Sequence, residues 1–296
     1  MTQPSNSGEL LNRATGLLVI EVVNSNPNGD PDNESEPRIR PGDRGEISPV
    51  SFKRKLRDLV EQKEGPVWRS LAQRLGLTDD EFAILESRGR DRKQIEQELS
   101  GDGARFKARY WDGRLFGNTF LEKGSSTSIK TGVVQFGMGL SISPVEVQRH
   151  TLTNKAGVEE GKDRGMAPLG YRVVQHAVYV MPFFVNPTAA HKSGCTRPDL
   201  DLMLALIPYA YSHTASFVRP DVRLRHVWYI EHKSPLGSCP DHELIDALTP
   251  VRKRDTNQPS ESWSDYEVPS VLPELLTKRV ASCRDLVAEL GEAAGG

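Results

Sequence analysis

The chain has 296 residues, of which 37% are hydrophobic and 26% are charged, the composition of an ordinary globular protein. No apolar run approaches the roughly 20 residues that a membrane-spanning helix requires, and the first residues lack the features of a secretory signal. Three widely spaced cysteines, Cys195, Cys239 and Cys283, predict a reducing, cytoplasmic setting without a disulfide framework. The net charge of −2 argues neither for nor against nucleic-acid binding, because such binding depends on where the basic groups lie.

The first predicted element is a strand over residues 15–24, apolar on both faces and therefore central in a sheet. The segment VVNSNPNGDPDN at its end is rich in residues that favour turns. Its alternating amides imitate the start of a calcium loop, but Asn24 and Ser35 stand where the first and last acidic ligands belong. Calcium is therefore not expected. Two interpretations stay open: a solvated loop, or amide groups that donate to phosphates or base edges.

The next element is a helix that begins at Ser48 and Pro49, an N-cap followed by proline at the first helical position. Apolar residues recur at helical spacing along FKRKLRDLV, and basic residues fill the positions between them. The basic residues form either a solvated helix face or, with the unpaired N–H groups of the first turns, an anion site.

Residues 66–100 predict a helical insertion, whose second, charged helix covers 79–99. The basic and aromatic stretch GDGARFKARYWDGRLFGNTF follows, and its rings Trp111, Phe116 and Phe120 are expected mainly in the core. A strand is predicted over 131–142, where glycines indicate bends or a close backbone approach.

From Ser143 to Leu169 the sequence is polar and shows no hydrophobic period, and such long segments in compact domains are usually functional or disordered. Pro208 is expected to kink the helix that contains it. The remaining predicted elements are strands over 171–185 and 222–231 and helices over 199–213, 241–248 and 270–290.

Without its insertions, the predicted order is strand, helix, strand, strand, helix, strand, the α+β arrangement known as ferredoxin-like. RNA-recognition modules share this arrangement and bind single strands on the open sheet face. The fold alone does not imply RNA binding. The first strand, LLVIEVV, lacks the aromatic residues that such modules stack on bases, so any RNA is expected on another surface.

Several motifs in collinear order resemble a single protein family. They are NSNPNGDPD, KRKLRD, RYWDGRLFGNTF, TGVVQFGMGLSISPVEVQRH and VWYIEHKSPLGS, and they lie within residues 15–250. The chain closely resembles the Cas-seven backbone subunits of type I CRISPR interference complexes, of the Csd or Csh kind in subtypes I-C and I-B. Two departures from the family pattern are a short, glycine-rich segment at 143–170 and an unmatched tail beyond residue 250.

The resemblance implies a modified RNA-recognition fold with a helical insertion and a long hairpin, the thumb, that inserts into the guide. The predicted domains are a tail (1–14), a palm (15–235) and a C-terminal helical extension (236–296). Within the palm, helical fingers cover about 63–105 and the thumb about 143–170. The implied partners are a CRISPR RNA guide, the target DNA strand, further copies of the chain and other Cascade subunits. Neither a membrane nor a cofactor is implied.

The predicted RNA-binding residues combine these patterns with the resemblance. They are Asn24, Asn26, Asn28, Lys53, Arg54, Lys55, Arg57, Arg109, Arg114, Arg149, His150, Lys155, Arg164 and Met166. The basic members are expected to lie beside phosphates. Met166 is a candidate wedge between bases, since inserted apolar side chains can unstack a step; the alternative is that it packs on its own domain.

The resemblance also suggests an enzymatic alternative. In related type III backbone subunits, an aspartate in the corresponding loop takes part in metal-dependent RNA cutting, which would assign that role to Asp30 or Asp32. A metal nuclease normally assembles several carboxylates, and one acidic pair without further ligands is too few. No spacing of histidines or cysteines suits a zinc site. We therefore expect a structural, non-enzymatic subunit without a metal. A third hypothesis is a scaffold that assembles with proteins alone.

Overall fold

The computed structural model describes residues 11–87, 93, 107–117, 131–155 and 166–295. Its strands are β1 (Ala14–Ser25), β2 (Ile39–Arg40), β3 (Arg44–Ile47), β4 (Val134–Phe136), β5 (Gly139–Pro144), β6 (Val147–Lys155), β7 (Met166–Val185), β8 (Val222–His232), β9 (Val251–Arg252), β10 (Tyr266–Glu267) and β11 (Val280–Asp285). Its helices are α1 (Pro49–Glu61), α2 (Pro66–Leu75), α3 (Trp111–Phe116), α4 (Ala190–Ser193), α5 (Arg197–Leu206), α6 (Asp241–Leu248), α7 (Glu274–Thr277) and α8 (Leu286–Gly295). The chain is thus an α+β protein, as predicted.

One large sheet organises the described residues. Its strands lie in the order β11-β8-β1-β7-β5-β3-β2, with β4 and β6 also paired to β7. Every neighbouring pair is antiparallel. The first strand, β1, lies between β7 and β8, and Leu17 to Ile20 are buried on both faces, which confirms its predicted central position.

The two faces of the sheet are covered by different parts of the chain. Alternate residues of β1, such as Leu18 and Ile20, face a large core built with α1, α3 and α5. Leu17 and Val19 face a second core, to which Leu244 and Tyr266 of the C-terminal region contribute. Both faces of the central strand are therefore covered by other parts of the chain.

Helix α1 begins as the sequence predicts. Ser48 has an extended conformation, and its hydroxyl accepts a hydrogen bond from the N–H of Ser51 at 3.2 Å. Pro49 occupies the first helical position. A backbone N–H there would have no intrahelical acceptor, so proline, which lacks this N–H, costs the helix no hydrogen bond. The apolar side chains Phe52 and Leu56 point into the core.

Two predicted helices differ from the expectation in parts that the structure describes. Of the helix expected over 79–99, residues 79–87 form one 3₁₀ turn, Asp79–Glu81, and then an extended segment whose Ala83 bridges to Tyr110, whereas Lys93 is helical and the rest lies outside the described residues. The final helix expected over 270–290 is replaced by α7, β11 and α8. At the C-terminal end a tertiary contact overrides the helical pattern, since β11 pairs along its length with β8.

Two further predicted elements are interrupted where the sequence indicated. The strand over 131–142 is divided into β4 and β5, and a Cβ at Gly137 would lie only 2.9 Å from Pro182 Cγ. The helix over 199–213 ends at Leu206 and continues as a 3₁₀ turn around Pro208. The first break falls at a glycine, which permits more backbone conformations, and the second at a proline, which restricts them.

Strands β6 and β7 form a hairpin in the segment that showed no hydrophobic period. Their register runs from Val147 opposite Val174 to Lys155 opposite Met166. Among the described strands, β6 pairs only with β7, and Arg149 and His150 are exposed. Because this two-stranded arm leaves these positions exposed, it needs no alternation of apolar and polar residues. A search for hydrophobic alternation therefore does not recognise it as a strand pair.

No helix in the described residues is long and apolar enough to cross a membrane. All three cysteines lie in described segments, and all three are free thiols.

Candidate nucleic-acid interface

Arg57, a predicted phosphate contact, is buried inside the protein. Its side chain is 2% exposed and its Nε donates to Asp112 Oδ2 at 2.8 Å. The guanidinium also pairs with Glu86 at 3.0 Å. Asp112 in turn accepts from the backbone N–H of Leu85 at 2.7 Å, so this cluster joins α1, α3 and the extended segment between them. A guanidinium enclosed in this way has no face to offer an RNA phosphate.

Arg114 is committed to the fold in the same manner. Its guanidinium contacts both carboxylate oxygens of Asp199, at 2.6 to 3.1 Å, and Asp199 is fully buried. Further donors reach the backbone carbonyls of Lys107 and Glu81, both at 2.8 Å. Arg114 therefore joins α3 to the N-terminus of α5 and, like Arg57, has no free face for a phosphate.

The other three cations of α1 are only partly accessible. Lys55 is buried, donates to Thr214 Oγ1 at 3.1 Å and lies 4.8 Å from the centre of the Tyr211 ring. Burial and the nearby Arg57 lower the pKa of Lys53. Arg54 donates to the carbonyl of Glu86. Of the predicted basic helix face, only Lys53 and Arg54 are half-buried rather than buried.

The loop after β1 is anchored to the start of α1 through Asn28. Its Oδ1 accepts from the backbone N–H of Ser48 at 2.7 Å, and its Nδ2 donates to the carbonyl of Gly29 at 2.9 Å. Asn26 donates from Nδ2 to the carbonyl of Ser35 at 2.7 Å. Asn24 is exposed in a left-handed conformation with φ of 42°. The three amides thus differ in their contacts: Asn28 joins the loop to the start of α1, Asn26 bonds within the loop, and Asn24 is exposed.

The first residue of the loop's acidic pair, Asp30, lies beside Arg38. Asp30 lies 3.5 Å from the guanidinium of Arg38 and accepts from the backbone N–H of Asp32 at 3.3 Å. Asp32 itself is exposed. In the described part of the chain, no group of three or more His, Cys, Asp or Glu side chains is placed to hold a metal ion.

A cleft of about 240 Å³ lies between this loop and the foot of the β6–β7 hairpin. We call it the hairpin cleft; its principal lining residues are Asn26, Glu36, Arg149, Tyr171, Arg172 and Phe217. His150 stacks on Tyr171 with ring centres 5.5 Å apart, and Tyr171 meets Phe217 edge-on at 5.2 Å. Arg172 pairs with Glu36. The cleft therefore combines one exposed arginine, Arg149, with the rings of Tyr171 and Phe217.

The remaining predicted residues lie elsewhere. Arg109 is exposed, and its guanidinium lies 5.4 Å from the centre of the Tyr110 ring. For Lys155 and Met166 the structure gives only the backbone, in which they face each other across the hairpin. Arg164 lies outside the described residues. Of the aromatic residues expected in the core, Trp111 and Phe116 are buried there, whereas Phe120 lies outside the described residues.

Comparison with known proteins decides the family. The family model for "CRISPR-associated protein Cas7" matches residues 12–270. The chain belongs to the Cas7 family. Two solved structures are similar at 16% identity: a chain of a "CRISPR RNA-guided surveillance complex, pre-nicking", with 74% of this chain and 78% of that chain covered at a TM-score of 0.45, and a chain of a "CRISPR RNA-guided surveillance complex", with 73% and 69% covered at 0.38. No curated protein matched the sequence.

The Cas7 match includes the whole hairpin cleft and ends before β11 and α8. Sequence reasoning missed three residues of the cleft, namely Tyr171, Arg172 and Phe217. The adjacent Tyr171 and Arg172 stand at the end of the polar segment, and this aromatic–basic pair was a usable signal. Phe217 carried no signal, because it lies in a turn far from the other two in sequence.

Proposed function

We propose that this Cas7-family chain is a backbone subunit that binds a CRISPR RNA guide in a type I interference complex. The observation that carries the proposal is the hairpin cleft, where exposed Arg149 and His150 lie beside the rings of Tyr171 and Phe217. Basic groups next to aromatic faces are the combination that binds single-stranded nucleic acid without sequence preference.

We infer that the sheet is a modified RNA-recognition fold. Strands β8, β1, β7 and β5 lie side by side in this order, and each neighbouring pair is antiparallel. If β1, β5, β7 and β8 are the first to fourth strands of a βαββαβ unit, their order in the sheet is 4-1-3-2. Helix α1 follows the first of these strands and α5 the third, which supports the same assignment. The β6–β7 hairpin is then the thumb that inserts into the guide.

In this proposal several copies of the chain, with other subunits of the complex, line up along one guide and present it to target DNA. Because such a subunit must accept any guide, its contacts go to phosphate and ribose and leave the pairing edges of most bases free. The residues retained for phosphate contact are exposed or half-buried cations. They are Lys53, Arg54, Arg109 and Arg149.

We further propose that the subunit has no catalytic role. The carboxylate of Asp30 lies beside the Arg38 guanidinium at 3.5 Å, an arrangement that holds the loop in shape. To test this, the purified protein is mixed with labelled RNA complementary to its guide in the presence of Mg²⁺ or Mn²⁺. Intact RNA is expected; cleavage that disappears in Asp30→Asn would contradict the proposal.

The binding function is tested by expressing the chain together with a CRISPR RNA and comparing size-exclusion profiles before and after ribonuclease treatment. A large species that contains RNA and collapses on digestion is expected. A protein that elutes without RNA and is unchanged by ribonuclease would favour a scaffold that assembles through proteins alone.

A further inference from the structure

We propose that Glu36 is a positioning residue that sets the direction of the β6–β7 hairpin. Its carboxylate pairs with Arg172 at the foot of the hairpin. What this pair does for RNA binding rests on the proposed function, whereas the placement of the hairpin is a property of the fold itself. The observation that carries the inference is the register of two arginines across the hairpin.

Two like charges lie directly opposite each other at the foot of the hairpin. Arg149 of β6 is the register partner of Arg172 of β7, so the two side chains leave the same face of the arm. No other pair in this register carries two charges of one sign. Like charges in directly opposed positions destabilise a strand pair. The foot of the hairpin therefore needs a compensating anion.

Glu36 supplies that anion from the loop after β1. Its carboxylate pairs with the guanidinium of Arg172, and the two side chains are 24% and 31% exposed. The other guanidinium lies over a glycine: a Cβ built on Gly170 would be 3.5 Å from Arg149 Nη2. One arginine is thus neutralised by Glu36, and the other occupies the space that a missing side chain leaves beside it.

The backbone that carries Glu36 is fixed within its loop. The carbonyl of Glu36 accepts from the N–H of Asp30 at 2.7 Å, and its own N–H donates to the carbonyl of Asn33 at 2.8 Å. The same loop is joined to the start of α1 by the side chain of Asn28. The carboxylate is therefore presented to the hairpin from a defined position.

Contacts at the foot decide where the arm points. The register of β7 with β1 ends at Val174, and residues 166–173 pair with β6 alone among the described strands. Tyr171 precedes Arg172 and so faces the opposite side of the arm, where it meets the ring of Phe217 at 5.2 Å. The arm is held from one side by Glu36 and from the other by Phe217.

This role gives Glu36 an effect on RNA binding opposite to that of an ordinary acidic residue. A carboxylate beside a phosphate site repels RNA, so its removal should strengthen binding. Removal of a positioning carboxylate instead loosens the arm that carries Arg149, and a contact that is no longer preorganised binds more weakly. Glu34 is the matched control, because it lines the same cleft from the same loop and is exposed.

The test combines RNA affinity with amide hydrogen exchange on the full-length protein, using a labelled single-stranded RNA of random sequence. Glu36→Gln is expected to weaken RNA binding about threefold and to speed exchange at residues 147–150 and 170–173 about fivefold. Glu34→Gln is expected to bind RNA at least as tightly as the parent, with unchanged exchange. In Glu36→Gln/Arg172→Gln the like-charge pair is gone, so exchange should return toward the rate of the parent.

The outcomes separate the inference from the function beneath it. If the parent binds RNA and Glu36→Gln behaves as Glu34→Gln does in both measurements, the inference is overturned and the proposed function stands. Faster exchange in the double variant than in Glu36→Gln also overturns the inference, because repulsion between the arginines would not be the cause. If the parent binds no RNA, the proposed function is overturned, and the exchange rates alone decide whether Glu36 positions the hairpin.

Discussion

The arginines of this chain fall into two groups that look alike in sequence and differ in the fold. Arg57 and Arg114 lie in basic, aromatic stretches and are buried against Asp112 and Asp199. Arg149 lies in a polar stretch and is exposed at the hairpin cleft. A buried charge is tolerated only when a partner accompanies it. The partners are 55 and 85 residues away, so local charge density in the sequence does not distinguish buried, paired cations from exposed ones.

The largest expected effect would follow from breaking a pair in the buried group. Arg114→Ala leaves the carboxylate of Asp199 buried without its cation, which should lower the free energy of unfolding by about 3–5 kcal/mol. Denaturant titration of the variant measures this loss, with Arg109→Ala, an exposed arginine of the same stretch, as control. Equal stability of the two variants would contradict the division into two groups.

A smaller loss of stability is expected at the loop anchor. Asn28→Ala removes the acceptor of the Ser48 N–H, and an unsatisfied donor of this kind costs about 1–3 kcal/mol. The exposed Asn33 of the same loop provides the control Asn33→Ala, which should unfold as the parent does. If Asn28→Ala is fully stable but binds RNA less well, the amide belongs to the interface rather than to the fold.

Two buried histidines, His176 and His232, predict a dependence of stability on pH. Burial lowers the pKa of His176, whose ring lies 2.8 Å from Ser260 Oγ and 3.3 Å from Glu21, and the pKa of His232 is lowered by the same cause. Below the ordinary histidine value of 6.5 the unfolded chain takes up protons that the folded chain refuses. The free energy of unfolding should therefore fall as the pH drops below about 6.5. His176→Gln should flatten this fall, and a profile unchanged by the substitution would contradict the assignment.

The sequence predicted the parts of this fold that depend on local pattern. The central strand β1 showed an unbroken apolar run, and α1 showed its cap, its proline and its apolar period. The sheet edge was not predictable in the same way. Val280–Asp285 forms a strand because β8 offers it unpaired backbone groups, and that partner lies some fifty residues earlier in the chain.

The same limit applies to the candidate site. Arg149 and His150 were found because they lie in a polar segment that a known family uses. The cleft that gives them an aromatic partner is assembled from three separate segments, and Phe217 enters it from a turn after α5. Residues that come together only in the tertiary fold have no fixed spacing along the chain, so no sequence motif identifies them.

The most direct test of the proposed RNA contact at the hairpin cleft is the salt dependence of RNA binding. The parent, Arg149→Ala and the control Arg254→Ala, another exposed arginine, are titrated with two scrambled RNAs over a range of salt concentrations. We expect affinity to fall steeply with salt and to change little between the two sequences. Arg149→Ala should reduce the slope of log affinity against log salt by about one, and Arg254→Ala should leave it unchanged. Identical slopes for all three proteins, or a tenfold preference for one RNA at fixed salt, would contradict the account.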